Sequence, residues 1–158
     1  MNEYRVERIN HYQRHLYADL FNQYKFCRRE TSQEKSVTNR MVKRLFNSEP
    51  VLFIVLRNYP ETIPVGFIQL YSICSSINGE QTTIVSDLYV LPDSRKNGIA
   101  LKLIEAAVKF AINNKSGLIE LETLQDNLIA RKLFESVGFK SQTSKSEVNL
   151  YSIQFEYD

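Results

Sequence analysis

The chain has 158 residues, which suits one domain spanning residues 1–158 better than two complete hydrophobic cores, since domains typically run to about 50–200 residues. Its composition is 43% hydrophobic and 24% charged, which excludes a wholly disordered or collagen-like chain. Lys and Arg number 20 against 18 Asp and Glu, and the resulting net charge of +2 disfavours a strongly basic nucleic-acid-binding protein.

Targeting and redox signals favour a cytoplasmic protein. No segment approaches the ~18 consecutive apolar residues that cross a bilayer, and the polar residues 1–5 lack the apolar core of a signal peptide. The two cysteines, Cys27 and Cys74, lie far apart without metal-ligand spacing. We therefore expect free thiols, no metal site, no membrane partner and no nucleic-acid partner.

The first 50 residues predict one strand followed by two helices. Residues 4–9 are predicted as the strand, and residues 11–28 as a helix because apolar side chains recur there at spacings of three and four. A second helix is predicted to start near Thr31 or Ser32, where Thr31 and Glu34 match a capping box, and to end at Pro50.

The middle of the chain predicts three consecutive strands. Residues 51–56 form a continuous apolar, β-branched run, which is typical of a buried strand. Residues 65–73 and 82–91 are the next two strands, joined through the Asn78-Gly79 signal of a tight hairpin. A three-stranded antiparallel meander is the simplest arrangement.

Helices and strands alternate in the remainder of the chain. A helix over residues 98–114 should close at Gly117 in the left-handed conformation. A strand at 118–123, a helix beginning at 125 or 126 and ending at Gly138, and a strand at 148–155 follow. The elements predict a mixed α/β fold, and the strand at 148–155 could offer an exposed edge to a second copy in a homodimer.

Residues 86–100 carry the chemical signal, because a strand ends there, a basic loop turns, and a helix begins at a glycine. The amides of a helix's first turn lack intrahelical partners and bind phosphate readily. Gly98 would let an anion approach the backbone, and Arg95 and Lys96 add positive charge. A plain strand-to-helix connection with a solvated basic loop fits the same pattern.

Two motifs in this half of the chain resemble those of the GCN5-related N-acetyltransferase (GNAT) family. Residues 95–100, Arg-Lys-Asn-Gly-Ile-Ala, are similar to its Arg/Gln-x-x-Gly-x-Gly/Ala signature, and Val90 and Pro92 match the Val-x-Pro step before it. Its second motif is matched by Asn127, Ala130, Leu133, Phe134, Gly138 and Phe139. A branch of the family also resembles this chain at 66–71, 75–76 and 86–88, which read Gly-Phe-Ile-Gln-Leu-Tyr, Ser-Ser and Ser-Asp-Leu.

The resemblance implies a β-α-α-β-β-β-α-β-α-β-β order, a splayed and mostly antiparallel sheet, and acetyl-CoA as co-substrate. The diphosphate of acetyl-CoA would lie on the amides of residues 96–101, and its pantetheine arm would pair with the strand at 88–90. The implied cofactor-binding residues are Leu88, Tyr89, Val90, Arg95, Lys96, Asn97, Gly98, Ile99, Ala100, Leu101, Asn127 and Phe134.

Acetyl transfer to an amine of a small molecule or peptide needs a neutral nitrogen, so a base must remove its proton. Glu122 is the first candidate and Asp87 the second, while Glu120 shares a strand face with Glu122. The amide of Val90 is the candidate donor to the thioester oxygen. These carboxylates could instead pair with Arg or Lys, or bind a cationic substrate without taking its proton.

Phe134 departs from the family pattern, because many members have a tyrosine there that protonates the leaving thiolate. Phenylalanine has no proton to give, so the thiolate would leave unassisted, or Tyr71 or Tyr89 would serve. This departure keeps a second function open, that of a non-catalytic acyl-CoA-binding or protein-interaction module.

Overall fold

The computed structural model describes residues 3–27, 50–58, 60–142 and 147–157. The helix predicted to begin at Thr31 lies outside the described residues. Within those ranges, no helix is both long and apolar enough to cross a membrane.

Seven strands and three α-helices make up the described part of the chain. The strands are β1 (Tyr4–Arg8), β2 (Val51–Arg57), β3 (Ile63–Cys74), β4 (Gln81–Val90), β5 (Leu118–Leu124), β6 (Lys140–Gln142) and β7 (Val148–Gln154). The helices are α1 (Arg14–Cys27), α2 (Ile99–Asn113) and α3 (Leu128–Val137), with short 3₁₀ turns at His11–Gln13 and Pro92–Ser94. The predicted elements in these ranges are confirmed, with ends shifted by one to three residues.

All seven strands belong to one sheet with the order β1-β2-β3-β4-β5-β7-β6. The β1–β2, β5–β7 and β6–β7 pairs are antiparallel, and β4–β5 is parallel. The β4–β5 ladder runs only from Thr82↔Leu118 to Val85↔Leu121, although β4 continues to Val90. The predicted mixed α/β fold with a splayed sheet is confirmed, since this ladder stops halfway along β4.

The predicted exposed edge at the last strand is wrong. β7 lies between β5 and β6, and Leu150, Tyr151 and Ser152 have partners on both sides. The short strand β6 takes the place at the end of the sheet because Gly138 ends α3 and turns the chain back onto β7. The middle of β7 is therefore paired on both sides, and the homodimer stays a prediction.

The chain divides into two compact units. The first comprises Met1–Gln69 and Asp87–Leu103, and the second comprises Leu70–Ser86 and Ile104–Asp158. β3, β4 and α2 each contribute residues to both units. The single domain over residues 1–158 stays a prediction.

The core of the first unit is built around an aromatic face of α1. Leu20 of the predicted apolar face is almost fully buried, and Leu16 and Tyr24 of that face are partly buried. Tyr17, which that face did not include, is also almost fully buried. The Tyr17 ring meets Phe67 of β3 edge-on at 4.8 Å between centroids, and its hydroxyl donates to the Gln69 side-chain oxygen at 3.0 Å. Each large side chain buried in this way stabilises the fold by about 1.5–3 kcal/mol.

Helix α3 of the second unit begins and ends at residues of the predicted motif. The Asn127 side chain accepts from the amide of Ala130, which is the ordinary N-cap interaction, and Gly138 ends the helix with φ of 108°. The Phe134 ring between these ends is 5% exposed and lies 6.0 Å from Phe139 and 5.9 Å from Tyr151. The predicted stop at Gly138 is confirmed.

The predicted left-handed position at Gly117 is wrong. Lys115 takes the left-handed conformation instead, with φ of 52°, and the amide of Ser116 bonds to the carbonyl of Ala111. This bond pattern places the turn directly after the last helical residues, two positions before the glycine. Gly117 joins the sheet region, where its amide bonds to Gln81 and its carbonyl accepts from Phe155.

Candidate active site

A glycine in β3 allows three elements of the first unit to approach each other closely. A Cβ atom at Gly66 would lie 2.8 Å from the carbonyl oxygen of Tyr89 and 3.2 Å from a side-chain carbon of Ile99. The amide of Leu91 also bonds to the carbonyl of Val65 at 2.9 Å. Gly66 therefore lets the end of β4 and the start of α2 pack directly against β3.

The loop between β4 and α2 is held by its own hydrogen bonds. Arg95 donates from Nε to the carbonyl of Val90 at 3.1 Å, and its amide bonds to the carbonyl of Pro92. The Asn97 side-chain nitrogen donates to the carbonyls of Ser94 and Arg95 at 3.1 and 3.3 Å. Arg95 thus has a role that the sequence did not indicate, since it ties the loop to the end of the strand.

The backbone of this loop turns through two left-handed residues, Lys96 at φ 63° and Gly98 at φ 71°. The amide of Lys102 makes the first bond of α2, to the carbonyl of Gly98 at 3.1 Å. The amides of residues 99–101 come before that bond and have no carbonyl one turn earlier to accept from them. Lys96, Asn97 and Gly98 are all exposed, so this helix start, with its partial positive charge, is accessible to solvent.

The last residues of β4 direct their backbone groups alternately to the two edges of the strand. Leu91 bonds to β3, so the amide and carbonyl of Val90 point to the opposite edge. The Val90 carbonyl accepts from Arg95 Nε at 3.1 Å, and Val90 lies five positions after Val85, the last residue of β4 that pairs with β5.

Asp87 lies on the face of β4 that α1 covers. It is half-buried, and its Oδ1 atom accepts from the hydroxyl of Tyr24 at 2.6 Å. The Tyr24 ring lies 5.5 Å from the ring of Tyr89, as expected if Asp87 and Tyr89 share a face. Nothing in the sequence indicated Tyr24, which stands 63 positions before its partner.

The glutamates of β5 line a cavity of about 310 Å³ in the second unit. Glu120 and Glu122 meet there with Ser86 of β4 and Leu150 of β7, at the end of the β4–β5 ladder. Both glutamates lie on the face of β5 opposite Leu121, and Glu122 is exposed. The cavity therefore brings two carboxylates together in a solvent-accessible recess.

Phe134 adjoins a polar network that the sequence did not indicate. The Tyr151 hydroxyl accepts from Arg131 Nε at 3.0 Å and lies 3.3 Å from a carboxylate oxygen of Glu135. The hydrogen bond from Arg131 Nε to the Tyr151 oxygen is the main cause that raises the pKa of Arg131 above its ordinary value. A second Arg131 nitrogen donates to the carbonyl of Gln125 at 2.9 Å, so the network fixes α3 to β7 and to the turn after β5.

Among the residues that the structure describes, no three His, Cys, Asp or Glu side chains group closely enough to hold a metal ion. Tyr71 is half-buried, and Tyr89 is 6% exposed within the aromatic core of the first unit.

The β4–β5 ladder that stops halfway along β4, and the loop that leads from β4 into the start of α2, are features that the sequence resemblance predicted for an acetyltransferase. The Acetyltransferase (GNAT) family model matches residues 12–139, and the chain belongs to this family. The expected family, fold and enzyme class are thereby confirmed.

Individual relatives agree with this assignment. The chain is similar to the uncharacterized N-acetyltransferase YhfO of Bacillus subtilis (strain 168), with 34% identity over 126 residues that cover 80% of this chain and 83% of that protein. A crystal structure described as a probable acetyltransferase superposes with a TM-score of 0.79 at 27% identity, covering 98% and 99% of the two chains. The fold is also that of yncA from Salmonella typhimurium, solved with its cofactor acetyl-CoA, with a TM-score of 0.74, 11% identity and coverage of 99% and 96%.

Proposed function

We propose that this acetyltransferase moves the acetyl group of acetyl-CoA directly to a primary amine of a small molecule or peptide. The observation that carries the proposal is the start of α2, where exposed Gly98 precedes three amides without intrahelical acceptors. The solved relative yncA holds acetyl-CoA, and the relative YhfO is named an N-acetyltransferase, which supports a nitrogen acceptor.

The diphosphate of acetyl-CoA would be bound by the amides of residues 96–101, with the Lys96 side chain adding charge. Its pantetheine arm would lie along the edge of β4 at Leu88 and Val90, as an added strand does. Arg95 would hold this surface in shape through its bond to the Val90 carbonyl. Asn127 and Phe134 stay predicted contacts of the cofactor, with the Asn127 side chain also engaged as the cap of α3.

Glu122 is our candidate for the general base. It is exposed in the recess at the end of the β4–β5 ladder, where a bridging water could carry the proton from the ammonium to the carboxylate. The neutral nitrogen then attacks the thioester carbon, and the amide of Val90 stabilises the charge that develops on the oxygen. Asp87 is the second candidate, because its carboxylate is already engaged by Tyr24.

Collapse of the tetrahedral intermediate breaks the carbon–sulfur bond and completes the new carbon–nitrogen bond. Phe134 offers no proton at this step and is packed into the core. The thiolate therefore leaves as the anion, which its ordinary pKa of about 8.5 permits, and takes a proton from solvent. The second proton of the attacking nitrogen is lost to water, because Glu122 already carries the first, and Glu122 then releases its proton to solvent before the next turnover.

A second function, binding of an acyl-CoA without turnover, is favoured by one observation, the buried phenylalanine at position 134. The test is a panel of diverse primary amines with saturating acetyl-CoA and detection of the released thiol, run on the parent and on Phe134→Tyr. Thiol release that depends on an amine in the parent supports the transferase. Tight binding of acetyl-CoA without release in either protein would support the binding module.

Location and assembly are proposed on the sequence alone. We propose a cytoplasmic protein with a single domain over residues 1–158, acting on its amine substrate without nucleic acid or membrane. A homodimer, if formed, would use a surface other than β7, which has strands on both sides.

A further inference from the structure

The peptide unit at the end of β4 is hydrogen-bonded on both sides. The Leu91 amide donates to the carbonyl of Val65 in β3 at 2.9 Å, and the Val90 carbonyl accepts from Arg95 Nε at 3.1 Å. This amide and this carbonyl belong to one planar peptide, so the two bonds together fix its orientation. The Arg95 side chain thus supplies a bond that a neighbouring strand supplies elsewhere in a sheet.

Strand β5 pairs with β4 only as far as Val85↔Leu121, five positions before Val90. A strand edge without a partner can take up an extended ligand through its backbone groups. The orientation of the Val90–Leu91 peptide therefore decides how such a ligand pairs with the end of β4.

Arg95 is itself held through its backbone. Its amide donates to the carbonyl of Pro92 at 3.2 Å, and its carbonyl accepts from the Asn97 side-chain nitrogen at 3.3 Å. From this fixed loop the side chain reaches back to the carbonyl of Val90. Arg95 therefore links the loop before α2 to the edge of the strand.

The atom that makes this bond distinguishes two roles for Arg95, a positive charge and a hydrogen-bond donor. The sequence predicts the charge as a partner for the diphosphate, but the structure uses Nε as a donor to a backbone carbonyl. Glutamine carries its side-chain nitrogen at the same place along the side chain as Arg Nε, without a charge. The signature that residues 95–100 resemble admits Arg or Gln here, and these two side chains share the donor and not the charge.

We propose that Arg95 is a positioning residue for the pantetheine arm of acetyl-CoA, that it acts through the carbonyl of Val90, and that its charge adds little to diphosphate binding. Lys96, exposed in the same loop, then supplies the side-chain charge for the diphosphate. This inference rests on the proposed function, since it concerns how the proposed co-substrate binds.

The test uses the two ends of acetyl-CoA separately. ADP carries the diphosphate without the arm, and S-acetylpantetheine carries the arm without the diphosphate. Arg95→Met removes the donor and the charge together, so that the arm must order the strand edge as it binds. We expect the Kd for acetyl-CoA by titration calorimetry, and the KM for S-acetylpantetheine with an amine that the parent accepts, to rise about three- to tenfold, the equivalent of one net hydrogen bond. The Kd for ADP should stay within about twofold of the parent.

Arg95→Gln separates the donor from the charge. It keeps a nitrogen that can donate to Val90, so its Kd for acetyl-CoA should stay closer to that of the parent than to that of Arg95→Met.

Lys96→Met is the matched control, because it removes one positive charge from the adjacent position. It should raise the Kd for ADP severalfold and change the KM for S-acetylpantetheine less, which is the reverse of the pattern expected for Arg95→Met.

Three results would overturn the inference. They are an Arg95→Met variant that weakens ADP as much as acetyl-CoA, an Arg95→Met variant that binds both as the parent does, and an Arg95→Gln variant as weak as Arg95→Met. If Arg95→Met does not fold, Arg95→Lys takes its place, because it keeps the charge and has a methylene group where Arg has Nε. Parent-like binding of acetyl-CoA by Arg95→Lys would then overturn the inference.

The proposed function is tested apart from the role of Arg95. A parent that binds acetyl-CoA but acetylates no amine overturns the transferase, and the Kd values for acetyl-CoA and ADP still decide the role of Arg95. A parent that binds no acetyl-CoA overturns both.

Discussion

Replacement of Gly98 by glutamate tests where the diphosphate of acetyl-CoA binds. Gly98 has φ of 71°, and a Cβ atom there would meet nothing within 4 Å, so the substitution causes no collision. Its backbone cost is that of a side chain in the left-handed conformation, about 1–2 kcal/mol. For a chain of this size that lowers the Tm by about 2–8 °C, which leaves a folded protein to assay.

The effect on cofactor binding should be larger. A carboxylate about 6 Å from one phosphate charge, at an effective dielectric constant of ~20, opposes binding by about 2.8 kcal/mol, or roughly 100-fold in Kd. Titration calorimetry with acetyl-CoA measures this directly. Gly98→Ala carries the same backbone cost without the charge, so we expect its Kd to stay within a few-fold of the parent.

Gly79→Glu is a matched control for the same experiment. Gly79 has φ of 72° in the β3–β4 hairpin and also has open space around its Cβ position. It should lose a similar amount of stability and bind acetyl-CoA as the parent does. Equal Kd values for the Gly98→Glu and Gly79→Glu proteins would refute the placement of the diphosphate at the start of α2.

Three further substitutions test the chemistry and the packing. Glu122→Gln should lower kcat about 10²–10⁴-fold near neutral pH, with a smaller loss at high pH, where the amine is already neutral. Glu120→Gln changes a residue of the same cavity and serves as the control. A pH–rate profile of Glu122→Gln that matches the parent would remove Glu122 from the mechanism. Gly66→Ala would place a carbon 2.8 Å from the Tyr89 carbonyl oxygen, so thermal melts should show that the free energy of unfolding falls by about 1–3 kcal/mol. Calorimetry should show weaker binding of acetyl-CoA. An unchanged Tm would contradict the close approach. Tyr151→Phe should lower the denaturant midpoint only slightly, because Arg131 and Glu135 lose their shared hydroxyl but can bond to water instead, and kcat should stay as in the parent. A large loss of kcat would bring Tyr151 into the mechanism.

The element order could be predicted because local patterns determine it. The spacing of Leu16, Leu20 and Tyr24 predicted the face of α1 that packs on the core. The continuous apolar run at 51–56 predicted a strand that is buried along most of its length. The glycine at 138 ended α3 as expected, since a left-handed residue directly after a helix favours glycine. The same rule failed at Gly117, because Lys115 occupies the corresponding position after α2 at a modest energetic cost.

The order and pairing of the strands were harder to predict from sequence, because they depend on contacts between residues far apart in the chain. β7 was expected at an edge, but residues 140–142 form a strand too short and polar to show a periodic pattern. Such a strand is stabilised by its neighbour and not by its own composition.

The site itself was predicted as a set of motif positions, without the contacts that hold them. The signature gave the loop and the start of α2, and the structure supplied the bond from Arg95 to Val90 that joins loop to strand. The bond from Tyr24 to Asp87 could not be found from sequence, since no short-range pattern links positions 63 apart.

The internal bonds of the loop over residues 94–97 have a kinetic consequence. Because the side-chain bonds of Arg95 and Asn97 already fix this segment, it loses little conformational entropy when a ligand binds. The time course of acetyl-CoA binding should therefore be a single exponential, and its observed rate constant should rise linearly with acetyl-CoA concentration. No slow phase from ordering of the loop should limit it.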